Sequence, residues 1–221
     1  MSNLNPSPPL PQAIILPGNG VSEPGTAMWY PYVASELGKA ISRETGGKLF
    51  PGEVILRQFP DWELARESVW IPFLEKDLKA CSGTVLIGHS SGAVAALRYL
   101  EEHRVLGVVL VSAYHTDLGD PHERKAGYFD RPWNWSRISQ NASWIIQFAS
   151  TDDHLVPIEE QRYVHTMIGS EYREFNDRGH FNYQIKFPEL VDVIVQFMDG
   201  TIDKQSGTMS DVERMDVSDF Q

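Results

Sequence analysis

Short runs of apolar and β-branched residues alternate along most of the chain with longer stretches in which apolar residues recur at helical spacing. The short runs predict six strands, at residues 13–16, 54–59, 84–87, 107–112, 144–148 and 172–175. The longer stretches predict helices at residues 29–44, 63–80, 92–103, 159–168 and 188–198. Each crossover between parallel strands needs a helix that covers the sheet, so this alternation predicts a doubly wound α/β domain with a mainly parallel sheet.

The two ends of the chain lack this alternation. Residues 1–12 contain four prolines among polar neighbours, which predicts a flexible arm. Residues 200–221 have few aliphatic side chains and an excess of Asp, which predicts a disordered acidic tail. The folded domain is therefore expected to span residues 13–199.

One connection, residues 112–143, is long, polar and rich in aromatic residues. A connection of this length in a compact domain is usually a lid or a binding insert. Four aromatic side chains are therefore candidates for binding the apolar part of a substrate: Tyr128, Phe129, Trp133 and Trp135. The alternative is that these rings close a small satellite core over the sheet.

Composition and charge narrow the class of protein. The 221 residues are 42% hydrophobic and 22% charged, which is ordinary for one globular domain. The net charge of −11 would repel phosphate backbones and anionic lipid headgroups, so no nucleic-acid or membrane partner is expected.

The single cysteine and the lack of a recognisable targeting signal predict a cytoplasmic protein. Cys81 is the only cysteine, so an intrachain disulfide and a Cys-based zinc site are excluded. A signal or transit peptide begins with basic residues, but the first positive charge here is Lys39. No apolar run approaches the roughly 18 residues that span a bilayer, so no transmembrane helix is predicted.

The segment Gly88-His89-Ser90-Ser91-Gly92 matches G-x-S-x-G and lies between a predicted strand and a predicted helix. This context is that of a nucleophile elbow, in which a sharp turn lifts the serine hydroxyl above the carboxyl edge of the sheet. Ser90 is therefore a candidate nucleophile. The alternative is a glycine-rich turn whose serine only caps the helix.

A serine nucleophile needs an imidazole base and a carboxylate that orients it, and in this fold they follow in the order serine, acid, histidine. His180 follows the last predicted strand and is the best-placed base. Five other histidines follow Ser90 but lie on predicted helices, on earlier loops or beside the acid: His103, His115, His122, His154 and His165.

The acid is expected on the loop after the fifth strand. Asp153 is preferred to Asp152 because Asp153-His154-Leu155-Val156-Pro157 resembles the D-x-x-V-P turn that is common after the acid in hydrolases with a nucleophile elbow. Asp152 is then expected to cap the loop. Asp117 and Asp120, after the fourth strand, remain a lesser alternative.

An oxyanion hole needs backbone amides, of which one follows the nucleophile and belongs here to Ser91. The second is expected from the loop after the first strand, at Asn19 or Gly20. A dinucleotide-binding loop is the competing interpretation, but Glu23 stands where its third glycine is required.

No metal or other cofactor is expected. The mixed cluster of His115, Asp117, Asp120 and His122 could be drawn as a metal site, but such exposed clusters are usually solvated. His89, inside the elbow, is expected to be a packing or hydrogen-bonding neighbour and not a second base.

The chain resembles the retinoblastoma-binding protein 9 group of α/β-hydrolases over about residues 13–198. The resemblance rests on PGNG, ARESVWIPFLE, IGHSSGAVAALRYLEEHRV, VVLVSAY, DLGD, AGYFDRPWNW and the STDD and GHF loops. It implies a small serine hydrolase with strand order 2-1-3-4-5-6, lacking the two leading antiparallel strands of larger relatives. It also implies a catalytic triad at Ser90, Asp153 and His180.

The resemblance also implies an L-x-C-x-E motif, through which the group's namesake would engage the retinoblastoma protein, but this motif is missing. Near Leu78 the chain reads Leu78-Lys79-Ala80-Cys81-Ser82, so binding of the retinoblastoma protein is not expected. The sequence predicts a serine hydrolase, carboxylesterase or aminopeptidase-like, that cleaves an ester or amide of a small molecule through an acyl-enzyme. The alternative is a non-catalytic interaction protein that keeps the hydrolase scaffold.

Overall fold

The computed structural model describes residues 9–200, and these form one six-stranded sheet. The strands are β1 (Gln12–Leu16), β2 (Val54–Ile55), β3 (Thr84–His89), β4 (Gly107–Val111), β5 (Ile145–Ser150) and β6 (Glu171–Phe175). Their order is β2-β1-β3-β4-β5-β6, and every neighbouring pair is parallel. The predicted fold class and strand order are confirmed.

Seven α-helices occur in the described part of the chain. They are α1 (Tyr30–Lys39), α2 (Glu67–Pro72), α3 (Ser91–Glu102), α4 (Pro121–Ala126), α5 (Trp135–Gln140), α6 (Ile158–Ile168) and α7 (Pro188–Met198). None of these helices within residues 9–200 is long and apolar enough to cross a membrane.

Most of the predicted arm and tail, residues 1–8 and 201–221, lies outside the described residues. At the start of the described chain the Pro11 carbonyl accepts a hydrogen bond from the Gly52 amide at 3.0 Å. Gln12 already begins β1, one residue earlier than predicted.

Two predicted helices are much shorter in the structure. Helix α1 ends at Lys39 because Ala40 is extended and Ile41 pairs with Lys48 in an antiparallel bridge. The predicted 63–80 helix is reduced to α2, after which the chain widens into a π-helical turn at Phe73–Asp77. Pro72, which has no amide hydrogen, lies at this change.

Strand β2 contains only two residues of the six predicted. Beyond Ile55 the chain leaves the sheet edge, and Phe59 packs in the core with its ring centroid 4.8 Å from that of Trp70. The apolar residues that suggested a longer strand therefore serve the packing of a loop.

Successive strand residues point to opposite faces of the sheet, and both faces are buried. One layer packs under α3 and includes Ile14, Leu16, Leu86, Val108 and Leu110. The other packs under α1 and α7 and includes Ala13, Ile15, Val85, Ile87, Val109 and Val111. The continuous apolar strands follow from this two-sided burial.

The long connection after β4 folds over α3. Helix α5 of this connection packs on α3, as does α2, and every α3 residue from Ser91 to Glu101 is buried. Helix α3 is thus buried around its whole circumference along these residues.

Arg98 on α3 binds several residues of the long connection after β4. Its guanidinium lies 2.7 Å from the Glu101 carboxylate and donates to the carbonyl oxygens of Tyr128 and Arg131. The ring of Trp133 lies 3.6 Å from the guanidinium carbon, a cation–π contact. One buried cation thus organises several residues of the connection.

Replacing Arg98 with Met should lower the free energy of unfolding by about 3 kcal/mol or more, because the Glu101 charge would remain buried without its main partner. Urea denaturation measures the loss. Arg137→Met on α5 is the control: its side chain is exposed, and the change should stay within about 0.5 kcal/mol. Equal stability of the two variants would contradict this role of Arg98.

Candidate active site

The G-x-S-x-G segment forms a sharp turn between β3 and α3. Ser90 has φ 55° and ψ −122°, a backbone conformation that L-residues rarely adopt. A side chain at Gly88 would overlap the Gly92 carbonyl oxygen, and one at Gly92 would overlap the Leu16 carbonyl oxygen. Both glycines are therefore required by close backbone approach, and the turn has the form of a nucleophile elbow.

Asp153 and His180 meet at the same edge of the sheet. Asp153 follows β5, His180 follows β6, and the histidine Nδ1 lies 3.0 Å from each carboxylate oxygen. The amides of Leu155 and Val156 donate to Asp153 Oδ1 at 2.9 and 3.0 Å. The structure thus brings together the predicted acid and base.

Two further side chains hold the acid. Ser112 Oγ donates to Asp153 Oδ2 at 2.7 Å, and Gln161 Nε2 donates to the same oxygen at 3.3 Å. Burial alone would raise the pKa of Asp153, but the hydrogen bonds from His180 and the backbone outweigh it, and the pKa is lowered. An ionised Asp153 only accepts, so Nδ1 of His180 carries hydrogen and Nε2 is the basic nitrogen.

His89 is buried beside the elbow and links two loops. Its Nε2 donates to the His180 carbonyl oxygen at 2.8 Å, so its Nδ1 accepts from the Tyr30 hydroxyl at 2.6 Å. The Tyr30 oxygen in turn accepts from the Gly18 amide at 3.2 Å. Burial, and then repulsion by His180, lowers the pKa of His89 to about 3. The prediction that His89 is a hydrogen-bonding neighbour is confirmed.

The loop after β1 passes directly over the nucleophile, since a Cβ placed on Gly18 would lie 3.4 Å from Ser90 Cβ. The Gly20 amide donates to the Trp62 carbonyl at 2.8 Å, so it is not available for an oxyanion, and that prediction is corrected. Within residues 9–200 the Asn19 amide donates no hydrogen bond. The amide of Ser91, the first residue of α3, has no intrahelical acceptor.

The four aromatic side chains proposed to bind substrate lie in different environments. Tyr128 is 0% exposed and belongs to the core under α3, so the prediction that it contacts substrate is wrong. Phe129, Trp133 and Trp135 are partly buried; Trp133 stacks on Trp135 with centroids 5.2 Å apart. Aromatic composition does not reveal whether a ring lies in a core or at its margin, which explains the error.

The four residues considered as a metal site each contact a different group. His115 lies against Glu160, Asp117 against Arg124 and His122 against the Glu63 carbonyl, while Asp120 caps α4. In the described chain no three His, Cys, Asp or Glu side chains are grouped to hold a metal ion. Asp152 joins the last two loops, accepting from Ser150 Oγ at 2.6 Å and from the Gly179 amide at 2.9 Å, as expected for a loop cap.

Sequence reasoning missed three supporting side chains. Ser112 ends a predicted strand at the same sheet edge, and that position could have identified it. Tyr30 and Gln161 lie on helices with no local signal for their contacts to His89 and Asp153.

A family model described as serine hydrolase matches residues 47–198 of the chain. The chain belongs to this serine hydrolase family. It is 44% identical over 184 residues to serine hydrolase RBBP9 of Rattus norvegicus, an alignment that covers 83% of this chain and 93% of the rat protein. The family model and this relative support a hydrolase.

Solved structures show the same fold at lower sequence identity. The ydeN gene product of B. subtilis matches with a TM-score of 0.70 at 23% identity, covering 85% of this chain and 98% of the other. The esterase RhEst1 of Rhodococcus sp. ECU1013 matches with a TM-score of 0.57 at 14% identity, covering 85% and 90%. The family member described here therefore has the α/β-hydrolase fold.

Replacing His89 with Gln should make stability less dependent on pH. The folded-state pKa of His89, about 3, lies below the roughly 6.5 of an unfolded histidine. Between these values the unfolded chain gains a proton that the folded chain does not, so this residue lowers the free energy of unfolding as the pH falls, by up to about 1.4 kcal/mol per pH unit.

Urea midpoints measured at several pH values between 3.5 and 7 would test this, expressed as the slope of unfolding free energy against pH. The wild-type slope should exceed that of His89→Gln by up to about 1.4 kcal/mol per pH unit, which corresponds to one proton. Parallel slopes would show that His89 is protonated alike in both states.

Proposed function

We propose that the protein hydrolyses ester or amide bonds of small molecules through an acyl-enzyme on Ser90. His180 is the general base and Asp153 orients it. The observation that carries the proposal is the His180–Asp153 pair, with its 3.0 Å contacts, at the sheet edge where Ser90 stands in a strained turn. The family supports hydrolase chemistry independently.

The reaction would begin when Ser90 Oγ attacks the substrate carbonyl and His180 Nε2 accepts the hydroxyl proton. The tetrahedral oxyanion would receive hydrogen bonds from the amides of Ser91 and Asn19. His180 then returns the proton to the leaving group. A water molecule, activated by the same base, attacks the acyl group and releases Ser90.

The contact between the elbow and the His180 loop supports the proposed pairing of nucleophile and base. His89 precedes Ser90 in the chain and donates to the His180 carbonyl, and the two imidazole centroids are 4.9 Å apart. Within the described residues the Ser90 hydroxyl donates no hydrogen bond to His180. The proposal requires this contact to form with substrate bound, as catalytic hydrogen bonds commonly tighten at that stage.

Carboxylesterase and aminopeptidase-like activities are both compatible with this machinery. We also propose a cytoplasmic location, supported by the single cysteine, and no nucleic-acid partner, supported by the net charge of −11. Retinoblastoma binding is not proposed, because the chain lacks the L-x-C-x-E motif near Leu78.

A fluorophosphonate probe tests the proposed nucleophile. Wild type should be labelled and Ser90→Ala should not, while Asp153→Asn should lower kcat on a p-nitrophenyl ester by about 10³-fold or more. Ser139→Ala, at a serine on α5 whose hydroxyl donates to the Ser136 carbonyl, should be labelled like wild type. Labelling of Ser90→Ala at the wild-type rate would exclude Ser90, and absence of turnover in folded wild type would favour the scaffold alternative.

Phe129 is the strongest remaining candidate for binding an apolar acyl group. Its ring stacks on Tyr114 at 5.7 Å, and the Tyr114 hydroxyl lies 3.2 Å from Ser91 Oγ, next to the nucleophile. Phe129→Ala should lower kcat/KM for aromatic esters about tenfold more than for acetyl esters, through lost apolar contact. Trp135→Ala is the comparison; an unchanged ratio in Phe129→Ala would remove Phe129 from the substrate site.

A further inference from the structure

A carboxylate from the long connection contacts two residues close to the nucleophile elbow. Glu123, on α4, accepts from Asn19 Nδ2 at 3.0 Å on Oε1 and from the Tyr114 hydroxyl at 2.6 Å on Oε2. Because Tyr114 donates to Glu123, its oxygen accepts from Ser91 Oγ, 3.2 Å away. One carboxylate is therefore connected to Asn19 directly and to Ser91 through one phenol.

These are the two residues whose amides form the proposed oxyanion hole. They lie 72 positions apart in the chain, on the loop after β1 and at the start of α3. The amides on either side of Asn19 are already bound, Gly18 to Tyr30 and Gly20 to Trp62. The Glu123 contact fixes the side chain of Asn19 as well, so the residue is held from three sides.

Partial burial of the Glu123 carboxylate carries a desolvation cost. Burial raises the pKa of Glu123, and the hydrogen bonds from Tyr114 and Asn19 only partly oppose this. Tyr114 is 1% exposed, whereas Glu123 and Asn19 are partly buried, so the phenol end of the network lies out of water. Within the described residues no Lys or Arg forms an ion pair with Glu123.

We propose that Glu123 is a positioning residue for the oxyanion hole, aligning the amides of Asn19 and Ser91 through Asn19 Nδ2 and Tyr114. The inference rests on the proposed function, because it presupposes that these amides stabilise an oxyanion. In this proposal the long connection contributes to catalysis, because Glu123 on α4 holds Asn19 directly and Ser91 through Tyr114. Oxyanion stabilisation depends on donors held in place before the reaction, so a small displacement lowers kcat more than it changes KM.

Replacing Glu123 with Ala should lower kcat for a neutral ester, p-nitrophenyl butyrate, at least tenfold, with KM within about twofold; complete loss of one donor costs about 10²–10³-fold. Glu123→Gln should retain kcat within roughly threefold, because the amide can accept from Asn19 and donate to Tyr114, although neutral hydrogen bonds are weaker. Rescue by Gln separates positioning from a requirement for charge.

A double-mutant cycle gives the sharper test. Asn19→Ala keeps the Asn19 backbone amide but removes one connection, and Tyr114→Phe keeps the ring stacked on Phe129 but removes the other. Each should lower kcat in the wild-type background and have little further effect in Glu123→Ala, since all act through one network. If Glu123→Ala does not fold, the Asn19→Ala/Tyr114→Phe double variant carries the test and should lose kcat at least tenfold.

Glu67 supplies the matched control. Its carboxylate pairs with Arg131 of the same connection at 2.6 Å but has no contact with Asn19 or Tyr114. Glu67→Gln and Glu67→Ala should leave kcat unchanged. Each variant is compared with wild type by thermal denaturation, so that loss of folded protein is separated from loss of rate.

Two results would overturn the inference while leaving Ser90 as the nucleophile. The first is wild-type kcat in folded Glu123→Ala, or in the double variant. The second is a loss in Glu123→Gln as large as in Glu123→Ala and confined to KM for substrates with a free ammonium group, which would mean that Glu123 contacts substrate. Failure of the fluorophosphonate probe to label wild type would instead be a failure of the proposed function.

Discussion

The structure depends on the close approach of α3 to the end of β1. At Gly92 the helix backbone lies so near the Leu16 and Pro17 carbonyls that no side chain fits, and Gly88 meets the first turn of the helix in the same way. This packing holds Ser90 at φ 55°, a conformation that costs on the order of 1–3 kcal/mol and persists only when its surroundings enforce it. Burial of α3 between the sheet and the connection after β4 provides that enforcement.

Around the strained turn, hydrogen bonds join loops that come from four strands. The loop after β1 is bound through Tyr30 and His89 to the His180 loop, and Asp153 accepts from Ser112 at the end of β4. The two histidines differ because of what surrounds them. His89 is buried with a neutral donor and a carbonyl as partners, whereas His180 Nδ1 faces the Asp153 carboxylate, which would orient it for the proposed role as base.

The sequence was informative where a local pattern has a unique structural meaning. Apolar runs revealed the strands, and chain order then placed Asp153 and His180 on the loops of neighbouring strands. The pattern failed where tertiary packing decides: β2 was overextended because apolar loop residues resemble a strand, and Tyr128 was misplaced because a core ring and a pocket ring have the same composition. Glu123 had no signal, since its contact with Asn19 joins residues 104 positions apart and depends on how α4 packs.

The most direct measurement is a crystal structure of the protein after reaction with a fluorophosphonate. We expect phosphorus bonded to Ser90 Oγ, the phosphonyl oxygen about 3 Å from the amides of Asn19 and Ser91, and His180 Nε2 within hydrogen-bonding reach of the reacting oxygens. Phosphorus on another side chain, or a phosphonyl oxygen directed away from both amides, would contradict it.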